Sequence, residues 1–262
     1  MAMRISISRV KLFKACKRAY WLKYVQGIEP VQRSEALETG LAYHERLEKL
    51  YRGEKADAED MTKEAAMVEA YKKYILPEFT VQAVEEEFVY PLVNGDELFG
   101  RIDGRTPDGL LVEHKTTGQP IGEDYEFNLQ WDEQILAYML ATGAREMWYT
   151  VCRKPTLRQG RNETIEEFYQ RMIEWYDEDT DKKIRLLYIT RTDAEVEAFR
   201  KSLLSTLWQM KVFEDEESFY RNTLYCTAWG RRCEYAGVCL SYDPSEDYID
   251  YKRTERMNGY AV

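Results

Sequence analysis

LVEHKTTG, residues 111–118, sets Glu113, His114 and Lys115 side by side at the end of an apolar run. In a strand, side chains two apart share a face, so Glu113 and Lys115 project together and His114 faces away. Upstream, ELFGRIDGRT (97–106) reads as a second strand, and Pro107-Asp108-Gly109 supplies the turn of a hairpin that brings Asp103 close to Glu113. An Asp and a Glu from adjacent strands can converge on a hard divalent cation, because Mg2+ prefers carboxylate oxygens and keeps several of its waters. A neighbouring lysine can orient or help deprotonate such a water and offset phosphate charge, which is the apparatus of metal-assisted phosphodiester hydrolysis. Surface strands also carry such charges for solubility alone, so the pattern gains force only from its surroundings.

Outward from this hairpin, TVQAVEEEFVYPLV (80–93) reads as a strand before the turn at Asn94-Gly95. Ahead of it come an amphipathic helix over 8–24 opened by Ser8, a turn around Gly27 and Pro30, and helices over 35–52 and 60–76 that stop before Pro77. After the hairpin the pattern predicts one helix from Asp124 to Thr142, a strand at 147–152, an acidic helix over about 163–178, a strand at 185–190 and a long helix from Asp193 to Val212 capped by Thr192. Helices, three strands, then alternating helices and strands specify an α/β protein with a mixed sheet flanked by helices.

The order GRIDG, LVEHKTTG, QILAY resembles the PD-(D/E)XK nuclease superfamily, in its RecB-like branch. The resemblance implies a restriction-endonuclease-like fold in which Asp103 and Glu113 hold Mg2+ or Mn2+ together with the backbone carbonyl of His114, and Lys115 serves the attacking water. It also implies that Gln134 and Tyr138, one turn apart on a helix, position that water, Lys115 or the DNA backbone. GLAYH matches the branch's Gly-x-x-x-His element through Gly40 and His44, so His44 becomes an additional metal ligand.

The cysteines narrow the likeness. Cys16 stands near the start and Cys226, Cys233 and Cys239 cluster near the end. This arrangement is similar to the iron-sulfur subset of RecB-like nucleases, which includes CRISPR-associated RecB-like exonucleases, the AddB nuclease domain and phage-encoded relatives. The likeness implies a [4Fe-4S] cluster packing the N-terminal helical segment against the C-terminal cysteines. The family's late cysteines are usually spaced C-x2-C-x5-C, whereas here the first interval is stretched to six residues, and this leaves Zn2+ as the alternative. Cys152 ends an apolar strand and reads as a core thiol.

The domain organisation follows: one nuclease domain over 1–240, with a helical part at 8–76, a catalytic core at 80–212 and the cysteine clasp, then a tail at 241–262. The net charge of -10 excludes a chain coated in phosphate-binding charge but hides local asymmetry. Arg9, Lys11, Lys14, Lys17, Arg18 and Lys23 stand together without an acid, as do Arg153, Lys154, Arg158 and Arg161. On the nuclease reading Lys14, Lys17, Arg18, Lys23, Arg153 and Lys154 track DNA phosphates, and Tyr20 or Trp21 stacks bases. No segment approaches the roughly 20 apolar residues of a membrane helix, so no membrane partner and a cytoplasmic location follow, in a bacterium or, for a phage-encoded protein, in its host. No G-x-x-x-x-G-K-[ST] loop occurs, so the chain is not itself an ATP-driven motor. The resemblance implies that it acts on single-stranded DNA or duplex ends alone, or lends its nuclease to a helicase or recombination protein. The alternative is a non-cleaving DNA-binding or zinc-stabilised interaction module of the same fold.

Overall fold

A computed structural model describes residues 2–54, 60–213, 216–243 and 245–254. In chain order the elements are β1 (Arg4–Ser6), α1 (Ile7–Ala15), α2 (Lys17–Tyr20) running into a π-turn at Trp21–Val25, β2 (Ile28–Pro30), α3 (Glu35–Tyr51), α4 (Lys63–Tyr74), β3 (Ala83–Pro91), β4 (Glu97–Arg105), β5 (Leu111–Thr117), α5 (Glu123–Leu129), α6 (Glu133–Thr142), β6 (Glu146–Arg153), α7 (Ile165–Glu174), β7 (Ile184–Thr190), α8 (Asp193–Val212), α9 (Ala236–Ser241) and β8 (Tyr251–Arg253). They form two compact units, one of residues 34–88 and 101–193 and the other of 1–33, 89–100 and 194–262.

The first, here the site unit, holds β5, β6, β7 and the parts of β3 and β4 that fall within its residues. β5 runs parallel to β6 in a continuous register from Leu111↔Met147 to Thr117↔Arg153, and β6 is antiparallel to β7. A parallel pair needs a long crossover, and α5 and α6 provide it. Parallel strands are covered on both faces, which explains why Leu111, Val112, Glu113 and His114 are all nearly inaccessible (0–2%). Glu113 is therefore a carboxylate buried in the sheet. β4 meets β5 across the turn at Gly109, whose φ of 93° suits glycine.

Local signals set the helix limits. The Ser34 side chain accepts from the Leu37 amide at 3.3 Å and opens α3, Thr62 does the same for α4, and Thr164 with Glu167 makes a capping box for α7. One face of α3 buries Tyr43 and Leu47 against Met67, Val68 and Tyr71 of α4, with Cys152, Tyr176 and Ile184 completing this core. The single helix expected over 124–142 is two. α5 stops at Leu129, and Asp132 accepts the Gln134 amide at 2.9 Å, capping a new helix in the middle of an apolar period.

In the cysteine unit, β1 lies parallel to Glu97–Phe99, and the buried carboxylate of Asp96 accepts from the Met3 amide at 2.8 Å and from Lys211 at 2.7 Å. The helix expected over 8–24 with Ser8 as its cap begins instead at Ile7 and breaks at Cys16, which is extended (φ -156°, ψ 113°). The break lets Asn222 dock there, its amide donating to Cys16 Sγ at 3.4 Å and its side chain to the Ala15 carbonyl at 2.7 Å. The stretch after 240 supplies β8, antiparallel to β2.

Candidate active site

Every residue of the candidate centre belongs to the site unit. The β4–β5 ladder pairs Arg105 with Leu111 and Gly104 with Val112. At the next step the His114 amide donates to Asp103 Oδ2 at 2.8 Å, so a carboxylate takes the amide that an unbroken ladder would give to a carbonyl. Lys115 Nζ donates to Glu113 Oε1 and, at 2.9 Å, to Gln134 Oε1. Gln134 Nε2 donates to the Tyr138 hydroxyl at 2.6 Å, and that hydroxyl donates to the Arg101 carbonyl at 2.8 Å. Gln134 and Tyr138 thus act through one another, and within this network their bonds reach Lys115 and β4.

α3 brings His44 to Asp103, with 3.5 Å between Nδ1 and Oδ2. Gly40 makes this possible: a Cβ there would lie 3.2 Å from Thr116 Oγ1, tighter than ordinary contact, so the missing side chain lets the helix approach β5. The Gly-x-x-x-His spacing therefore has a mechanical basis, close approach at one turn and a ligand-type side chain at the next.

The two carboxylates of the centre respond in opposite directions to burial and to the cations beside them. Burial, joined by the charge of Asp103, drives the Glu113 carboxyl up to about 7 against the pull of Lys115. Burial also raises Asp103, but the bond and charge of His44 outweigh it and leave that carboxyl below its ordinary value. His44 is correspondingly raised: burial lowers it, and Asp103 more than compensates. Lys115 is desolvated, yet Glu113 and Asp103 keep it above its ordinary value. Burial holds the His114 imidazole down to about 4, so that ring is neutral.

The Oε2 atom of Glu113 is buried and makes no hydrogen bond. An orphaned carboxylate oxygen beside a second carboxylate and an imidazole is a donor set that a divalent cation satisfies. Among the described residues no three His, Cys, Asp or Glu side chains stand as a ready-made metal group, and Lys115 occupies the other oxygen of Glu113. The same holds for the thiols. Cys226 Sγ contacts the Asn222 carbonyl oxygen at 3.7 Å, the Cys233 amide donates to the Cys226 carbonyl at 2.8 Å, and Arg221 Nε donates to Cys239 Sγ at 3.3 Å. All five cysteines are free.

The expected DNA-contacting residues divide. Tyr20 and Trp21, expected as exposed stacking aromatics, are 6% and 4% exposed, because Tyr20 packs on Phe13 and Phe219 and Trp21 on Tyr242. Arg18 is also buried, its guanidinium over the Trp21 ring and 2.8 Å from Glu216. These three are packing residues. Lys17 lies over the Phe13 ring, Lys23 over Tyr24 and Arg153 over Trp175, while Lys154 Nζ lies 3.9 Å from where a Gly40 Cβ would be.

Sequence reasoning missed two features here. The His114 side chain, expected only to face away, contacts Thr150, Tyr51 and Tyr71. Tyr51 lies seven residues after His44, a spacing that returns to the same helical face and was the available signal. Glu85 of β3, at φ 56°, pairs with Arg101, and burial followed by the Asp103 charge raises its carboxyl. Nothing in its sequence context announces that backbone.

Residues 4–84, which include Gly40 and His44 and stop short of Asp103, match the family model described as PD-(D/E)XK nuclease superfamily. Among solved structures, the chain is similar to a putative exonuclease from Eubacterium rectale at 12% identity, over 94% of this chain and 91% of that one, with a TM-score of 0.55. It is also similar to an alkaline exonuclease from Laribacter hongkongensis (14% identity, 79% and 88% covered, TM-score 0.41). A phage-related exonuclease from Haemophilus somnus follows (15% identity, 71% and 88% covered, TM-score 0.36). A comparison with curated proteins gives no match. Among the described residues no helix is long and apolar enough to cross a membrane.

Proposed function

We propose that the chain is a metal-dependent DNA exonuclease of the RecB-like type within the PD-(D/E)XK nuclease superfamily, a reading supported by its fold and by the match of residues 4–84. The observation that carries the reading is a pair of adjoining polar groups, His44 with Asp103 and the His114 amide, and Glu113 with Lys115, Gln134 and Tyr138, with the charge of Asp103 felt by Glu113. Asp103, Glu113, His44 and the His114 carbonyl would hold Mg2+ or Mn2+, which when bound supplies Lewis-acid activation of water and neutralises phosphate charge.

The protein groups divide the remaining work. Lys115, held between Glu113 and Gln134, is placed to orient the attacking water and to stabilise the negative charge that develops on the phosphate. Gln134 in turn is fixed by Tyr138, so the lysine's direction is set before substrate arrives. Substrate is DNA, as single strands or duplex ends, and Lys14, Lys17, Lys23, Arg153 and Lys154 are the cations proposed to track its phosphates. A [4Fe-4S] cluster on Cys16, Cys226, Cys233 and Cys239 stabilises the cysteine unit. Its support is that Asn222 touches Cys16 and Cys226 while the neighbouring Arg221 touches Cys239, with N–H groups pointing at two of the sulfurs.

End-labelled linear and circular DNA, single and double stranded, tests the reading with Mg2+, Mn2+ or chelator. Release of nucleotides from linear substrates only, and only with metal, is the expected result. Cleavage in chelator, or none with either metal, overturns it.

A further inference from the structure

The residue between Glu113 and Lys115 has a side chain with a task of its own. Resting on the metal-dependent reading above, we propose that Tyr51 and the His114 imidazole are positioning residues that hold His44 against Asp103. The β4–β5 ladder has its last paired register at Gly104↔Val112, and the His114 amide is given to Asp103. At the point where the centre forms, main-chain pairing no longer ties the hairpin together on that side. The imidazole supplies a tie from the other direction. Its Nδ1 lies 2.7 Å from Thr150 Oγ1 on the neighbouring strand, and its Nε2 lies 3.2 Å from the Tyr51 hydroxyl. The Tyr51 ring stacks on it at 5.6 Å between centroids, and the Tyr51 hydroxyl bonds that of Tyr71 from α4.

Tyr51 and His44 are seven residues apart on α3, so both look the same way from the helix. One helix is therefore fastened to the hairpin twice, by His44 to Asp103 on β4 and by Tyr51 to His114 on β5. With the second fastening gone, the last turns of α3 can roll, and His44 loses its set distance from the carboxylate. A buried polar chain that merely satisfies itself is the competing account, and it predicts no effect on metal. Groups that orient metal ligands typically carry a 10–100-fold effect on affinity or activity.

Tyr51→Phe keeps the ring and deletes the fastening. Titrated with Mn2+ by calorimetry, the variant is expected to bind about 10-fold more weakly than wild type. Its cleavage rate should recover towards wild type at saturating Mn2+, and its melting temperature should stay within a few degrees. Thr150→Val, which enters the chain of hydrogen bonds from β6, is expected to shift Mn2+ affinity in the same direction, and it decides the matter if Tyr51→Phe does not fold. Tyr43→Phe removes a buried hydroxyl from the same helix outside that chain and should change nothing. Equal Mn2+ affinity in wild type, Tyr51→Phe and Thr150→Val overturns the proposal, and so does an equal loss in Tyr43→Phe. A wild type that neither binds Mn2+ nor cleaves DNA fails at the nuclease reading itself and takes the positioning role with it, so the wild-type titration separates the two failures.

Discussion

At the scale of single residues, Glu113 is a buried carboxylate whose second oxygen has no partner, held beside a lysine and an aspartate. Glu113→Gln keeps its shape, and Lys115→Ala removes the charge proposed to serve the water; each is expected to lower the cleavage rate at least 100-fold while circular dichroism stays that of wild type. A variant with near-normal activity in Mg2+ would remove that residue from the centre. The same carboxyl has a thermodynamic signature in chelator. Its folded pKa is raised to about 7, so its contribution to stability is full below the unfolded value near 4 and is lost as pH rises through 7. The lowered imidazole of His114 has the opposite sign: its contribution is full above about 6.5 and is lost as pH falls towards 4. In wild type the two slopes oppose each other. Glu113→Gln removes only the first, so its melting temperature minus that of wild type should climb between pH 4.5 and 7. A difference that is flat across that range would mean that Glu113 titrates normally.

Among elements, α3 shows how much of the centre could be read in advance. Asp103, Glu113 and Lys115 could be brought together from strand alternation and the hairpin turn, whereas Gln134 and Tyr138 were singled out by the resemblance to the family, their i, i+4 spacing only allowing a shared face. Gly40 and His44 were read from the family's Gly-x-x-x-His spacing, and the structure adds that a Cβ at Gly40 would lie 3.2 Å from Thr116 Oγ1. Gly40→Ala is expected to separate two effects. Alanine favours the helix by about 1 kcal/mol, so the melting temperature should hardly fall, whereas displacing α3 should reduce cleavage about 10-fold because catalytic geometry tolerates little misplacement. Unchanged cleavage would show that Thr116 can yield. Other elements were not legible. The three-residue strands β1, β2 and β8 owe their existence to distant partners, as when Ile28–Pro30 pairs with Tyr251–Arg253. The break at Cys16 interrupts a run that reads as one amphipathic helix, and the residue that docks there, Asn222, stands 206 positions away. The His114 relay needed α3, α4 and β6 to be in place, which no local pattern states.

For the whole molecule, the cysteines offer the broadest test. A metal centre joining Cys16 to Cys226 closes most of the chain into one loop, and by analogy with long cross-links it contributes on the order of 4 kcal/mol. Serine at Cys16, Cys226, Cys233 or Cys239 is expected to release iron and sulfide and to lower the melting temperature. Cys152→Ser should retain the metal, since that thiol sits in the site unit's core beside Tyr176. Iron and sulfide analysis of the five variants checks this, and metal retained in Cys226→Ser would redraw the ligand set. The composition of the two units also orders events during synthesis. The site unit has all its residues once position 193 has left the ribosome, whereas the cysteine unit draws on the first 33 residues and on β8 at 251–253. Translation at about 5–20 residues per second leaves a gap of several seconds between the two. Through that interval Phe13 of α1 lacks the late-made Phe213, which meets it edge-on and in turn contacts Phe219. Nascent chains halted in this window should be the ones that chaperones hold, and the residues of α1, made well before the site unit, would be buried after it.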